Sequence, residues 1–303
     1  MALPSYATPL ERIWRFVFHV LCGLILLFLI APILIIIPLS FNAQPYFTFT
    51  QKMLALDPEG YSLRWYDFLL TFGMSAPEAP RDAAWWADAW SNSQWIRAAK
   101  NSVIIGVFST LVATFLGTLA ALGLSRPEMP FRRSIMAILL SPMIVPIIIT
   151  ATGLFFFYSA TGLSGTYVGL VLAHAVLGIP FVIITVTATL VGFDRSLSRA
   201  AASLGAAPVT SFFKVTMPLI LPGVVSGALF AFVTSFDEVV VVLFIAGPEQ
   251  QTIPRQMWNG IREQLSPSIL AVATILVAVS TALLATIEVL RRRSERLRGV
   301  TPG

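Results

Sequence analysis

Two adjacent carboxylates, Asp237 and Glu238, stand inside a stretch that is otherwise soluble in hydrocarbon. A charge near the centre of a bilayer costs about 2.5–3.5 kcal/mol on insertion scales, so acids placed there line a wet cavity or pair with a polar group on a neighbouring helix. A carboxylate in a low-dielectric cavity attracts a proton, a metal cation or an ammonium group strongly. Asp237, Glu238 and the neighbouring Phe236 are therefore the candidates for a solute path. Successive helical residues point about 100° apart, so both acids cannot face one point unless the helix is broken there. Separate roles follow: one acid faces a cavity and the other is paired at an interface.

Other chemistry is sparse. His19 and His174 both fall in apolar runs with no acid beside them in sequence. His174 is read as a helix-packing histidine with a satisfied hydrogen bond, in preference to a proton relay. A phosphate-binding loop needs Lys followed by Ser or Thr, whereas the three lysines precede Met53, Asn101 and Val215. The single cysteine, Cys22, supports neither a disulfide nor a cysteine metal site. No catalytic or metal-ligating constellation emerges.

The elements that must carry these residues are membrane helices. Of the 303 residues 56% are hydrophobic and 12% charged, where soluble domains carry about 25% charged residues. A core about 30 Å thick takes roughly 20 apolar residues per helix, and six stretches qualify: 13–39, 101–124, 134–157, 166–191, 219–246 and 267–290. The first has no small-x-small cleavage site behind it and is read as an anchor. With the N-terminus inside, the inner segments hold thirteen of the 20 Lys and Arg residues, which places both termini in the cytoplasm. The pI near 9.7 thus reflects topology, and the tail RRRSERLR is read as an anchor on anionic lipid rather than a nucleic-acid patch. Residues 1–12 are the inner N-terminus, 40–96 an outer segment whose WWADAW cluster reads as an interfacial belt, and 291–303 a basic tail. Gly106, Ser109, Thr110, Thr114, Gly117 and Thr118 mark close helix packing and are assigned to a subunit interface.

Residues 192–218 then form a cytoplasmic loop. Ala200, Ala201, Ala202 and Leu204 favour a short helix, Gly205 suits a C-cap with positive φ, and Pro208 starts a second short helix. Val209, Phe212 and Phe213 fall at i, i+3 and i+4 on one apolar face, while Lys214 points to water. Such a face wants a partner.

The loop resembles that of the permease subunits of ATP-binding-cassette importers, which carry EAA, three residues, Gly, nine residues, then I-x-L-P. Here Ala200-Ala201, Gly205 and Val215-Thr216-Met217-Pro218 keep that spacing, and Arg199 stands where the family has Glu, a charge reversal. GYSLRWYDFLL, NSVIIGVFSTLVATFLGTLAALGLSR and SFDEVVVVLFIAGPEQQTIPRQMW are similar to spermidine/putrescine-type permeases, particularly the second of their two permease subunits. The resemblance implies an all-α type I importer permease with six transmembrane helices in a bacterial inner membrane. It also implies a second permease, preferably a different chain, two ATPase subunits that bind ATP and magnesium in this chain's place, and an external binding protein. The coupling residues would be Arg199, Ala200, Ala201, Gly205, Phe212, Phe213, Lys214 and Pro218. The competing reading is a secondary transporter or cation channel acting alone through Asp237 and Glu238; it leaves the cytoplasmic loop unexplained.

Overall fold

The computed structural model describes residues 8–297 except Pro127, Arg195, Gln264 and Leu265. Those four positions, the first seven residues and the end of the basic tail lie outside the described residues. In chain order the main helices are α1 Pro9–Leu39, α2 Arg64–Thr71, α3 Ala83–Asn92, α4 Gln94–Leu124, α5 Arg132–Ile144, α6 Ile147–Thr161, α7 Tyr167–Val191 and α8 Ser196–Ser203. A continuous helix α9 follows over Pro208–Asp237, then α10 Val240–Ile245, α11 Ile253–Glu263 and α12 Ser268–Leu297.

Four of these, α1, α4, α7 and α9, are long and apolar enough to cross a membrane, and the α5–α6 pair makes five if it counts as one bent span. The third expected span is not straight: α5 and α6 meet at 102°. Pro142 and Pro146 account for the bend, since each removes an i→i−4 hydrogen bond. The fifth expected span is also interrupted, as described below. In the region of the sixth, Ser268–Ala282 is a shorter apolar stretch of α12.

The chain divides into two compact units. In the first, residues 1–72 with 260–303, α1 opens on a capping box in which Thr8 and Glu11 satisfy each other's N–H groups. The Trp65 indole donates to the Asn42 carbonyl at 2.7 Å and fixes the outer turn. Almost all of α1 leaves its apolar surface uncovered.

The second unit, residues 73–259, is built around α4, α7 and α9. The small residues decide how close these helices come. A Cβ on Gly117 would sit 2.7 Å from Val182 Cβ, and one on Gly227 would sit 2.8 Å from Val182 Cα. The α4 face assigned above to a subunit interface therefore packs within the chain, on α7 and α9, and α9 packs on α7 through Gly227. Backbones without side chains between them approach until dispersion contacts are full, the main adhesive where lipid removes the hydrophobic drive. Gly227→Leu is expected to lower the thermal unfolding midpoint of the detergent-purified protein by overpacking of about 1–3 kcal/mol, whereas Gly153→Leu, with nothing within 4 Å, is expected to leave it unchanged. Of the tryptophan cluster, Trp85 and Trp95 are core residues, while Trp86 and Trp90 stay exposed.

His174 is 1% exposed and its Nδ1 lies 2.8 Å from Ser235 Oγ, which in turn lies 2.9 Å from Ser109 Oγ. One side chain from each of the three central helices thus meets in a buried polar cluster. His174 thus packs between helices with Nδ1 bonded, as expected, while its buried Nε2 has no partner among the described residues.

Candidate functional site

The cytoplasmic-loop sequence folds as a capped helix and a turn. Asp194 accepts the Ser196 N–H at 2.8 Å and the Ser196 hydroxyl at 2.7 Å, starting α8. These donors hold the Asp194 carboxyl below its ordinary pKa. At the other end Gly205 N–H donates to Ala202 O (2.9 Å) and Ala206 N–H to Ala201 O (3.0 Å), with Gly205 at φ +82°. This is a Schellman cap, and it needs a left-handed residue at Gly205 as the sequence indicated.

The second limb differs from expectation. Pro208 does open a helix, but that helix is the start of α9 and does not end as a separate short element. Pro218 has no N–H to give, and the chain before it takes a π-helical turn over Phe212–Thr216, with Met217 N–H donating to Phe212 O. Leu204, Val209 and Phe213 are 88%, 68% and 63% exposed, and Lys214 is exposed as well. Phe212 does not join that face; half-buried, it lines a cavity of about 520 Å³ together with Leu122, Arg126, Phe193 and Arg199. Ala200 and Pro218 are exposed and Ala201 is half-buried. Arg199 makes no ion pair among the described residues.

The acidic pair lies at a break in the fifth span. α9 ends at Asp237, Glu238 is extended (φ −72°, ψ 123°), and α10 starts two residues later. Glu238 is 8% exposed, and its Oε1 accepts the Val241 N–H at 2.9 Å, at the head of α10. Asp237 is exposed and has no hydrogen bond or ion pair among the described residues. Glu238 is thus held by a backbone N–H three residues on, and Asp237 is open. Phe236 is half-buried and stacks on Phe232 at 5.7 Å.

One turn before Asp237, Thr234 lines a slot of about 390 Å³ with Pro142, Met143 and Pro146 at the α5–α6 bend and Leu177 and Phe181 of α7. Asp237 lies one turn beyond Thr234 along the same face of α9, outside the residues that line this slot.

Two polar contributors were not anticipated. Arg255 of α11 donates from Nη1 to the carbonyls of Val242 (3.1 Å) and Ala246 (2.9 Å), the C-terminal end of α10. Asn101 Nδ2 donates to Glu249 O and Gln251 O, and Asn101 Oδ1 accepts from Tyr167 OH at 2.8 Å, tying the loop after α10 to α4 and α7. The only sequence signal was an Asn at the outer edge of a span.

Apolar crossing helices, a capped loop with an uncovered apolar face, and an exposed acid at a helix break define a membrane permease. The chain belongs to the family described as binding-protein-dependent transport system inner membrane component, which it matches over residues 113–296. It is similar to the spermidine/putrescine transport system permease protein PotC of Haemophilus influenzae, with 31% identity covering 88% of this chain and 93% of that one. It is also similar to the putrescine transport system permease protein PotI of Escherichia coli, with 30% identity covering 90% and 88%. Its fold is that of an ABC importer permease. A bacterial ABC transporter involved in the import of the acidic polysaccharide alginate has a chain that superposes with a TM-score of 0.65 at 18% identity, covering 95% of this chain and 99% of that one.

Proposed function

We propose that the chain is the transmembrane permease subunit of an ATP-driven importer of small amine solutes, of the polyamine, putrescine or aminobutyrate-like kind, delivered by an external binding protein. The observation that carries the solute class is Asp237, an exposed, unpaired carboxylate one turn beyond Thr234, which lines an apolar slot: in this reading an ammonium group meets the acid while its alkyl stem reaches toward Leu177 and Phe181. The named substrates of PotC and PotI agree with that chemistry. Residues 192–218 form the coupling loop, in which α8 and the start of α9 offer Leu204, Val209 and Phe213 to a groove of an ATPase subunit.

In this reading the chain carries no cofactor and hydrolyses no ATP; two ATPase subunits bind ATP and magnesium, and a second, different permease chain completes the pathway. Closure of the ATPases on ATP pushes the loop and turns the cavity outward, a population shift between two access states. The test is uptake of radiolabelled putrescine by the assembled complex in proteoliposomes, with binding protein outside and ATP inside. Uptake equal in wild type and Asp237→Asn would refute the solute path.

The chain spans the inner membrane six times with both termini in the cytoplasm. Impermeant thiol reagents added outside should label Arg81→Cys and not Arg296→Cys, each in a Cys22→Ser background. The reverse pattern would invert the topology.

A further inference from the structure

The short helix after the break is held at both of its ends by side-chain hydrogen bonds. A helix N-terminus presents unsatisfied N–H groups and partial positive charge, and a C-terminus presents carbonyls and partial negative charge. At the head of α10 the buried Glu238 carboxylate accepts the Val241 N–H at 2.9 Å. At its tail the Arg255 guanidinium donates to Val242 O and Ala246 O, and Gly165 N–H donates to Ile245 O at 2.8 Å. Between these ends Val241, Val242 and Ile245 are fully buried. Six residues are too few to hold a helix by backbone bonds alone, so these end contacts decide where α10 begins and how it is aimed.

We infer that Glu238 and Arg255 are positioning residues which clamp α10 from opposite ends and so fix the break at which Asp237 is presented. The inference rests on the reading of Asp237 as a solute-path residue. Glu238 serves as a hydrogen-bond acceptor and Arg255 as a donor fork; neither meets the solute. The break is in consequence a rigid joint, and movement between access states is carried by other elements.

The clamp predicts a split between acceptor chemistry and charge. Glu238→Gln keeps an oxygen that can accept from Val241, and Arg255→Lys keeps a donor for the carbonyls, so both should retain uptake within about threefold of wild type. Glu238→Leu and Arg255→Met should raise the KM for putrescine uptake about five- to tenfold, the scale of losing one helix cap. An independent readout is the labelling rate of Asp237→Cys by a cationic methanethiosulfonate in a Cys22→Ser background, which either disruptive change should alter severalfold.

Wild-type KM in Glu238→Leu and Arg255→Met, together with an unchanged labelling rate at position 237, would overturn the clamp. So would an assembled Glu238→Gln complex without uptake, because the negative charge itself would then be at work. Should the Leu and Met variants fail to assemble, Glu238→Gln and Arg255→Lys decide the matter by their uptake. Failure of the underlying reading looks different: Asp237→Asn would transport normally while the clamp variants still changed labelling at 237.

Discussion

Asp237→Asn should reduce uptake about ten- to a hundredfold while the complex assembles in normal yield and still docks its ATPases. The magnitude follows from losing one hydrogen bond to a charged group, about 1.5–3 kcal/mol, at about 1.4 kcal/mol per tenfold. The fold explains why the loss falls on transport and not on folding. Asp237 has no partner within the described chain, so the substitution orphans no buried donor, whereas Glu238 is buried on a backbone N–H. An uncovered carboxylate in a span faces water, solute or another subunit, since lipid will not solvate it. The check is a Michaelis analysis of putrescine uptake beside quantitation of the purified complex. Reduced yield with unchanged transport per complex would make Asp237 a residue of the subunit interface.

Gly205→Val should uncouple ATP hydrolysis from transport. Nothing lies within 4 Å of a Cβ at this position, so the penalty is not a clash. It is the cost of holding an L residue at φ +82°, about 1–2 kcal/mol and more for a β-branched side chain. The chain relieves that strain by opening the Schellman turn, which swings α8 relative to the start of α9 and separates Leu204 from Val209 and Phe213 on the docking face. Solute molecules moved per ATP hydrolysed should fall about tenfold, with ATPase activity retained. Gly205→Asn should largely restore coupling, since Asn tolerates the left-handed region better than other side chains. Equal coupling in wild type and Gly205→Val would detach the turn from energy transfer.

The parts of this account that were legible in the sequence share a local physical cause. Gly205 was readable because the demand for positive φ is met by one residue type, and the cap it makes involves only Ala201, Ala202 and Ala206. Separate roles for Asp237 and Glu238 were argued from an unbroken helix, whereas the helix ends at Asp237 and it is the break that sets the two acids apart. That break was not readable: it arises where Glu238 turns back onto Val241 and where Arg255, nine residues beyond Ala246, reaches the far end of α10. Such contacts leave no periodic signal. The small residues of α4 announced close packing but not their partners, which proved to be α7 and α9 of the same chain, Gly117 against Val182 and Gly106 against Phe232. Pro142 and Pro146, four residues apart within the run read as one straight span, mark where α5 and α6 bend. Phe212, where the π-helical turn before Pro218 begins, turns into the cavity with Arg126 and Arg199 while Phe213 keeps the exposed face.

The central claim is that this chain moves its solute only when an ATPase works on the loop of residues 192–218. The direct measurement is radiolabelled putrescine uptake into proteoliposomes that hold the chain with its partner permease and ATPase subunits, binding protein outside, with ATP or a non-hydrolysable analogue inside. The account predicts uptake with ATP, none with the analogue, and none from vesicles holding this chain alone. Uptake by the chain alone, driven by a proton or cation gradient without ATP, would contradict it and establish a secondary transporter.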